Sequence, residues 1–179
     1  MANCCFVRLI VTCTKPKELK VLYKLLSEVF KDSEEKHKGA YIGSENKYLF
    51  DASCALTNNR LVIAAWVKWW LPRKDFVSVY LYLLEKAPSI SSITCTYEEF
   101  QTDVIGKYVI GAFQGPQTPV IEEYLSSSQI DDLKDKYTED FQGPEEEWEQ
   151  YQIDCRSQLE SFPCRIIHKL GHIVAGQPE

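Results

Sequence analysis

Twice in its first 115 residues this chain follows an apolar run with a proline and then with large apolar side chains spaced by three and four. The first instance is Cys4 to Cys13 (CCFVRLIVTC), then Pro16, then Leu19, Leu22, Tyr23, Leu26, Val29 and Phe30. The second is Arg60 to Trp70 (RLVIAAWVKWW), then Pro72, then Phe76, Val77, Tyr80, Leu81 and Leu84. Runs rich in Val and Ile suit buried strands, whereas the wider spacing lays one apolar stripe along a helix. Proline has a fixed φ and no N–H, so it closes the strand and is tolerated in the first helical turn. Thr14 is the N-cap candidate of the first helix.

Further strands are expected at Tyr48 to Ala55, Ile90 to Tyr97 and Gly106 to Phe113. Thr57-Asn58-Asn59 makes a hairpin turn before Arg60, because Asn accepts positive φ. Residues 31–47 are charged, contain two glycines and read as a surface loop. The order is β-α-β-β-α-β with an extra strand: an α+β chain with a ferredoxin-like antiparallel sheet. Right-handed crossovers place both helices on one face.

The character changes after Gly115-Pro116-Gln117-Thr118-Pro119. Residues 1–115 read as the α+β body, and 116–179 as an acidic, mostly helical extension packed on it. Ile121 to Leu125, Gln129 to Tyr137 and Pro144 to Phe162 are helix-prone, and Trp148, Tyr151, Cys155 and Leu159 form a stripe able to dock. Pro144 followed by Glu145, Glu146 and Glu147 is a favourable helix start, with carboxylates at the positive end of the dipole.

Residues 1–120 hold 15 Lys and Arg against 12 Asp and Glu, and residues 121–179 hold 5 against 14. The net charge of −6 therefore arises in the last third. Direct nucleic-acid binding through a broad basic face is not expected, because phosphate neutralisation needs clustered Lys and Arg. No basic leader is visible, and no apolar stretch reaches the ~20 residues that span a bilayer. A cytoplasmic location with reduced thiols is expected, and the odd count of seven cysteines without a CxxC agrees with it.

Four candidate chemistries stand beside blander alternatives. Cys155, Cys164, His168 and His172 could bind zinc, with the two histidines on one helix face, but the cysteine spacing is unlike a structural site and Gly171 weakens the helix. Solvated histidines at a frayed end explain the same residues. Cys164 with His168 could form a nucleophile–base pair, though no element to hold an oxyanion accompanies them. Glu98, Glu99 and Asp103 could supply paired carboxylates, yet neighbours on a strand point to opposite faces. Trp66, Tyr80, Tyr82 and Tyr97 could stack on single-stranded RNA, or simply pack in the core. There is no P-loop, GxGxxG or HExxH, so no cofactor is expected.

Three segments carry a family resemblance: the opening MANCCFVRLIVT, the Trp-rich AAWVKWWLP leading into a helix, and ITCTYEEFQTDVIGKYVIG. They resemble an uncharacterised family of ferredoxin-like-domain proteins found in phages, plasmids and integrated mobile elements. The likeness covers roughly residues 1–115. It implies a fold and a mobile-element origin, and it implies no reaction.

The acidic third is the most suggestive feature for function. Asp131, Asp132, Asp135, Glu139, Asp140, Glu145, Glu146, Glu147 and Glu149 could form a negative helical surface. Such a surface suits a basic groove in a host-defence protein that processes nucleic acid, since complementary charge speeds encounter and selects partners. The alternative is a solvated face that serves solubility. A protein partner without catalysis is therefore expected. A small thiol or hydrolytic enzyme and a single-stranded RNA-binding module are the rivals, and edge strands are compatible with a homodimer.

Overall fold

The computed structural model describes residues 4–35, 39–43, 48–68, 72–99, 104–137 and 145–176. The elements run β1 (Cys4–Cys13), α1 (Pro16–Glu35), β2 (Ala40–Tyr41), β3 (Tyr48–Thr57), β4 (Arg60–Lys68), α2 (Arg73–Lys86) and β5 (Ile90–Glu99). They continue with β6 (Val104–Ile110), β7 (Pro119–Tyr124), α3 (Ser127–Lys134), α4 (Glu145–Ser161), β8 (Cys164–Lys169) and α5 (Leu170–Ala175). The chain is α+β, with one eight-stranded antiparallel sheet ordered β2-β3-β4-β1-β5-β6-β7-β8.

β1 lies near the centre of the sheet because both of its edges are paired and one of its faces is wholly apolar. Val7, Leu9 and Val11 stand opposite Ala65, Ile63 and Leu61 of β4, and opposite Tyr97, Cys95 and Ile93 of β5. Side chains directly opposite in an antiparallel pair share a face, so these residues make one continuous apolar surface. Leu19, Leu22, Leu26 and Phe30 of α1, Phe76, Tyr80 and Leu83 of α2, and Leu170 and Ile173 of α5 all join the same buried cluster. Each fully buried Leu or Ile contributes about 1.5–3 kcal/mol relative to exposure, which is what holds the three helices down.

The other face is covered only in part. α3 and α4 pack over Ile105 and Leu125 and form a second, smaller cluster with Ile130, Leu133, Tyr151, Cys155 and Leu159. Farther along, over β4 and β1, Arg8, Arg60 and Trp66 remain exposed, and Phe6 and Ile10 half-buried. The β3–β4 hairpin turns through Asn58 (φ 48°) and Asn59 (φ 57°), as the Asn pair requires. Among the described residues no helix is long and apolar enough to cross a membrane.

Several expectations need correction. The segment Ile121 to Leu125 is not helical: it belongs largely to β7, because Val120 and Ile121 favour strand and both glutamates meet cations on neighbouring elements. Residues 164–175 are not frayed, since Cys164–Lys169 forms β8 beside β7 and Leu170–Ala175 forms α5; of the two histidines, His168 is buried and only His172 is exposed. Instead of one strand beyond the β-α-β-β-α-β set, the sheet adds β2, β6, β7 and β8. The presumed loop of 31–47 contributes the end of α1 and the two residues of β2. Trp69, Trp70, Asp103, Glu139 and Asp140 lie outside the described residues.

Gly106 is a steric requirement of this sheet. A Cβ there would run into the Tyr97 phenol and sit 2.7 Å from the Glu123 carbonyl oxygen. The Tyr97 ring crosses that position on its way to Glu122. Gly106→Ala should therefore displace Tyr97 and cost about 1–3 kcal/mol of stability, the usual range for overpacking. Urea unfolding checks this, and near-ultraviolet circular dichroism should report the moved tyrosine.

Candidate functional site

The acidic lobe is built by α3 and α4. α3 begins at a capping box, in which Ser126 Oγ accepts from the Gln129 backbone N–H at 3.4 Å and Gln129 Oε1 accepts from the Ser126 N–H at 2.9 Å. Along α4, Tyr151, Cys155 and Leu159 recur every four residues and turn inward. Trp148 lies tilted against Tyr151, and Tyr137 meets the same ring edge-on. The Tyr137 hydroxyl donates to Asp154 Oδ2 at 2.8 Å, and Gln150 Nε2 donates to Oδ1 at 2.9 Å. These two bonds hold the Asp154 carboxyl below its ordinary range, while burial and then the Asp154 contact push the Tyr137 phenol up to about 12. Arg156 forks onto Glu98 of β5, with Nε to Oε1 at 3.0 Å and Nη2 to Oε2 at 2.7 Å, and ties the lobe to the sheet.

Of the carboxylates expected on this surface, Asp131, Asp132, Asp135 and Glu149 are exposed and Glu147 is half-buried. Glu145 and Glu146 open α4. The helices thus set several of the expected side chains toward solvent while their apolar stripe faces the sheet.

A second constellation sits on the opposite face of the sheet, where α2 meets β5, β7 and β8. Arg73 Nε donates to Glu122 Oε2 at 3.1 Å, and Arg73 Nη1 lies 3.1 Å from His168 Nδ1. A guanidinium can only donate, so His168 Nδ1 is the accepting atom of this contact, and the other ring nitrogen is Nε2. That Nε2 lies 3.3 Å from Glu122 Oε2. The Tyr97 hydroxyl donates to Glu122 Oε1 at a long 3.5 Å, and its ring packs on Tyr108, which stacks in turn on Phe76. Burial, reinforced by the nearby Glu122 charge, raises both phenols well above the ordinary tyrosine range.

This network neutralises an acidic residue inside the sheet; it holds tyrosines that stay protonated and presents no activated nucleophile. Residues 73, 97, 122 and 168 come from four elements, so no spacing announces them. The one hint is a pair of glutamates inside the strand-like PVIEEY.

The residues singled out for chemistry are dispersed. Cys155 is in the lobe core, Cys164 Sγ lies 3.5 Å from Gln129 Oε1, His168 belongs to the buried network and His172 is exposed on α5. The two histidines share no helix face, since one is on β8 and the other on α5. Among the described residues, no group of three or more His, Cys, Asp or Glu is placed to hold a metal ion. Cys164 and His168 are four residues apart on one strand, a separation of about 13 Å that forbids proton transfer between them. Glu98 and Glu99 face opposite ways, Glu98 toward Arg156 and Glu99 into the buried face. Tyr80 and Tyr97 are buried, whereas Trp66 is 43% exposed. The chain matches no family model, no curated protein and no solved structure.

Two outcomes follow from this geometry. Glu122→Gln removes the counter-charge of Arg73 and should cost about 2–3 kcal/mol by urea unfolding, less than a fully buried pair because Arg73 is 30% exposed. In the native protein Cys5, Cys95 and Cys155 should resist iodoacetamide, since all three are buried and burial pushes the Cys5 thiol up to about 12. Mass spectrometry of the alkylated chain should find these three modified only after denaturation.

Proposed function

We propose that this protein is a non-enzymatic interaction module, a ferredoxin-like body presenting an acidic helical lobe to a basic protein partner. The strand order β3-β4-β1-β5, with α1 and α2 on one face, supports the ferredoxin-like reading of the body. The likeness of its opening strand, Trp-rich segment and Tyr-Glu-Glu segment to mobile-element proteins supports the setting. There the fitting partner is a host-defence protein that processes nucleic acid through a basic groove.

The construction of the lobe carries this reading. Residues 127–161 contain 11 Asp and Glu against 3 Lys and Arg, and one of those three cations, Arg156, is committed to Glu98. Helices with carboxylates outward and their apolar stripe on a sheet hold negative charge at fixed positions, as a nucleic-acid backbone does. Such a surface steers a basic groove toward itself over roughly a Debye length, about 8 Å at physiological salt.

The test is capture from a bacterial lysate on the immobilised full-length chain. A nuclease or another nucleic-acid-binding protein should be retained, and released as salt rises. The variant Asp131→Asn, Asp132→Asn, Asp135→Asn and Glu149→Gln alters only exposed side chains, so its fold should survive and its capture should fall at least ten-fold. Undiminished capture by that variant, or retention of proteins unrelated to nucleic acid, overturns the proposal.

A further inference from the structure

We propose that the open face of the sheet binds single-stranded RNA, with Phe6 and Trp66 as a stacking platform and Arg8 and Arg60 among the phosphate contacts. Strand pairing carries one row of side chains across this face: Ala64, Arg8, Thr96, Lys107, Glu123 and Arg165. At one end of the face Phe6 stands opposite Trp66 and Glu98. Toward the other end, Arg60 stands opposite Thr12, and Lys169 opposite Pro119.

Beside the part that α3 and α4 cover, the charge carried by the strands on this face runs against that of the whole chain. Arg8, Arg60, Lys107, Arg165 and Lys169 face two carboxylates, Glu98 and Glu123, in a protein of net charge −6. Glu98 is already bound by Arg156, and Glu123 is buried between Lys107 and Arg165. Arg8 and Arg60 are exposed and take part in no ion pair among the described residues. Two arginines in water on an open sheet face can approach phosphates without breaking an ion pair among the described residues.

The aromatic pair selects among polyanions. Phe6 and Trp66 meet edge to face, with centroids 5.3 Å apart, on adjacent strands near the middle of the sheet. Trp66 keeps 43% of its surface exposed, so a planar ring can lie on it. An unstacked base supplies that ring together with a nearby phosphate, whereas a duplex keeps its bases stacked inside and an acidic peptide offers carboxylates alone. Thr94 and Thr96, half-buried on the strand beside β1, add hydroxyls within reach of a ribose 2′-OH, which favours RNA.

Fluorescence anisotropy of a fluorescein-labelled oligouridylate of about 20 nucleotides, titrated with the full chain, is the measurement. Saturable binding that weakens with salt is expected. Trp66→Ala should loosen it about ten-fold, the loss of one stacked base. The double variant Arg8→Gln and Arg60→Gln should lower the slope of log affinity against log salt by about 1.4, from two lost phosphate contacts on a single strand. Both variants change exposed side chains, and unaltered thermal melts would confirm intact folding.

Three results overturn the proposal. One is no saturable binding at tens of micromolar protein. Another is a duplex RNA, or an oligothymidylate, of the same length binding as tightly with no dependence on Trp66. The third is self-association in sedimentation that Arg8→Gln and Arg60→Gln abolish, which would assign the face to the acidic lobe of a second copy.

Discussion

The extension of the sheet past β6 depends on cations that meet two adjacent glutamates of β7. Glu122 and Glu123 point to opposite faces of the strand, so no single partner could serve both. Glu122 meets Arg73 from α2 and the imidazole of His168. Burial pushes the Glu123 carboxyl up, but bonds from Lys107 and Arg165 outweigh it and hold that carboxyl below the ordinary range. Unpaired, either charge inside a packed sheet would cost several kcal/mol and favour a solvated helix instead. With both neutralised, β7 pairs with β6, β8 pairs with β7, and the last third of the chain becomes part of the same sheet.

Charge is thereby sorted by position. Glu123 is matched by Lys107 and Arg165 from neighbouring strands, Glu122 by Arg73 of α2 and Glu98 by Arg156 of α4, while Glu149 and the aspartates of α3 stay in water. Arg156 and Glu98 join the two regions and fix the lobe against β5. One end of the second face is therefore covered by a negative lobe, and its remainder is a positive, aromatic sheet. The two surfaces are thus opposite in charge, a division that the net charge by itself conceals.

The body was legible in sequence because its signals are local. β1, α1, β4, α2 and β5 follow from apolar periodicity and from Pro16 and Pro72, and the Asn58-Asn59 turn follows from φ preference. β7 was not legible, since two glutamates within six residues resemble a helical surface until Arg73, Lys107 and Arg165 are known to be adjacent. The hydroxyl and imidazole partners of Glu122 were equally hidden, for Tyr97 and His168 lie 25 and 46 residues away along the chain. Trp66 was visible as an aromatic, but its separation from the buried Tyr97 and Tyr80 depended on which face of the sheet Trp66 and Tyr97 take and on which face α2 covers.

The amino-acid sequence alone determined the α+β class, the two helices on one face of a sheet and the acidic character of the last third. These depend on side-chain periodicity, composition and charge, which any reader of the chain can count. Tertiary structure decided that the last third would supply two strands, that Arg73, Glu122 and His168 would close a buried network, and that cations scattered from Arg8 to Lys169 would share one face. The physical reason is strand register: a shift of one residue would send every such side chain to the opposite surface, and only long-range pairing selects the register that forms.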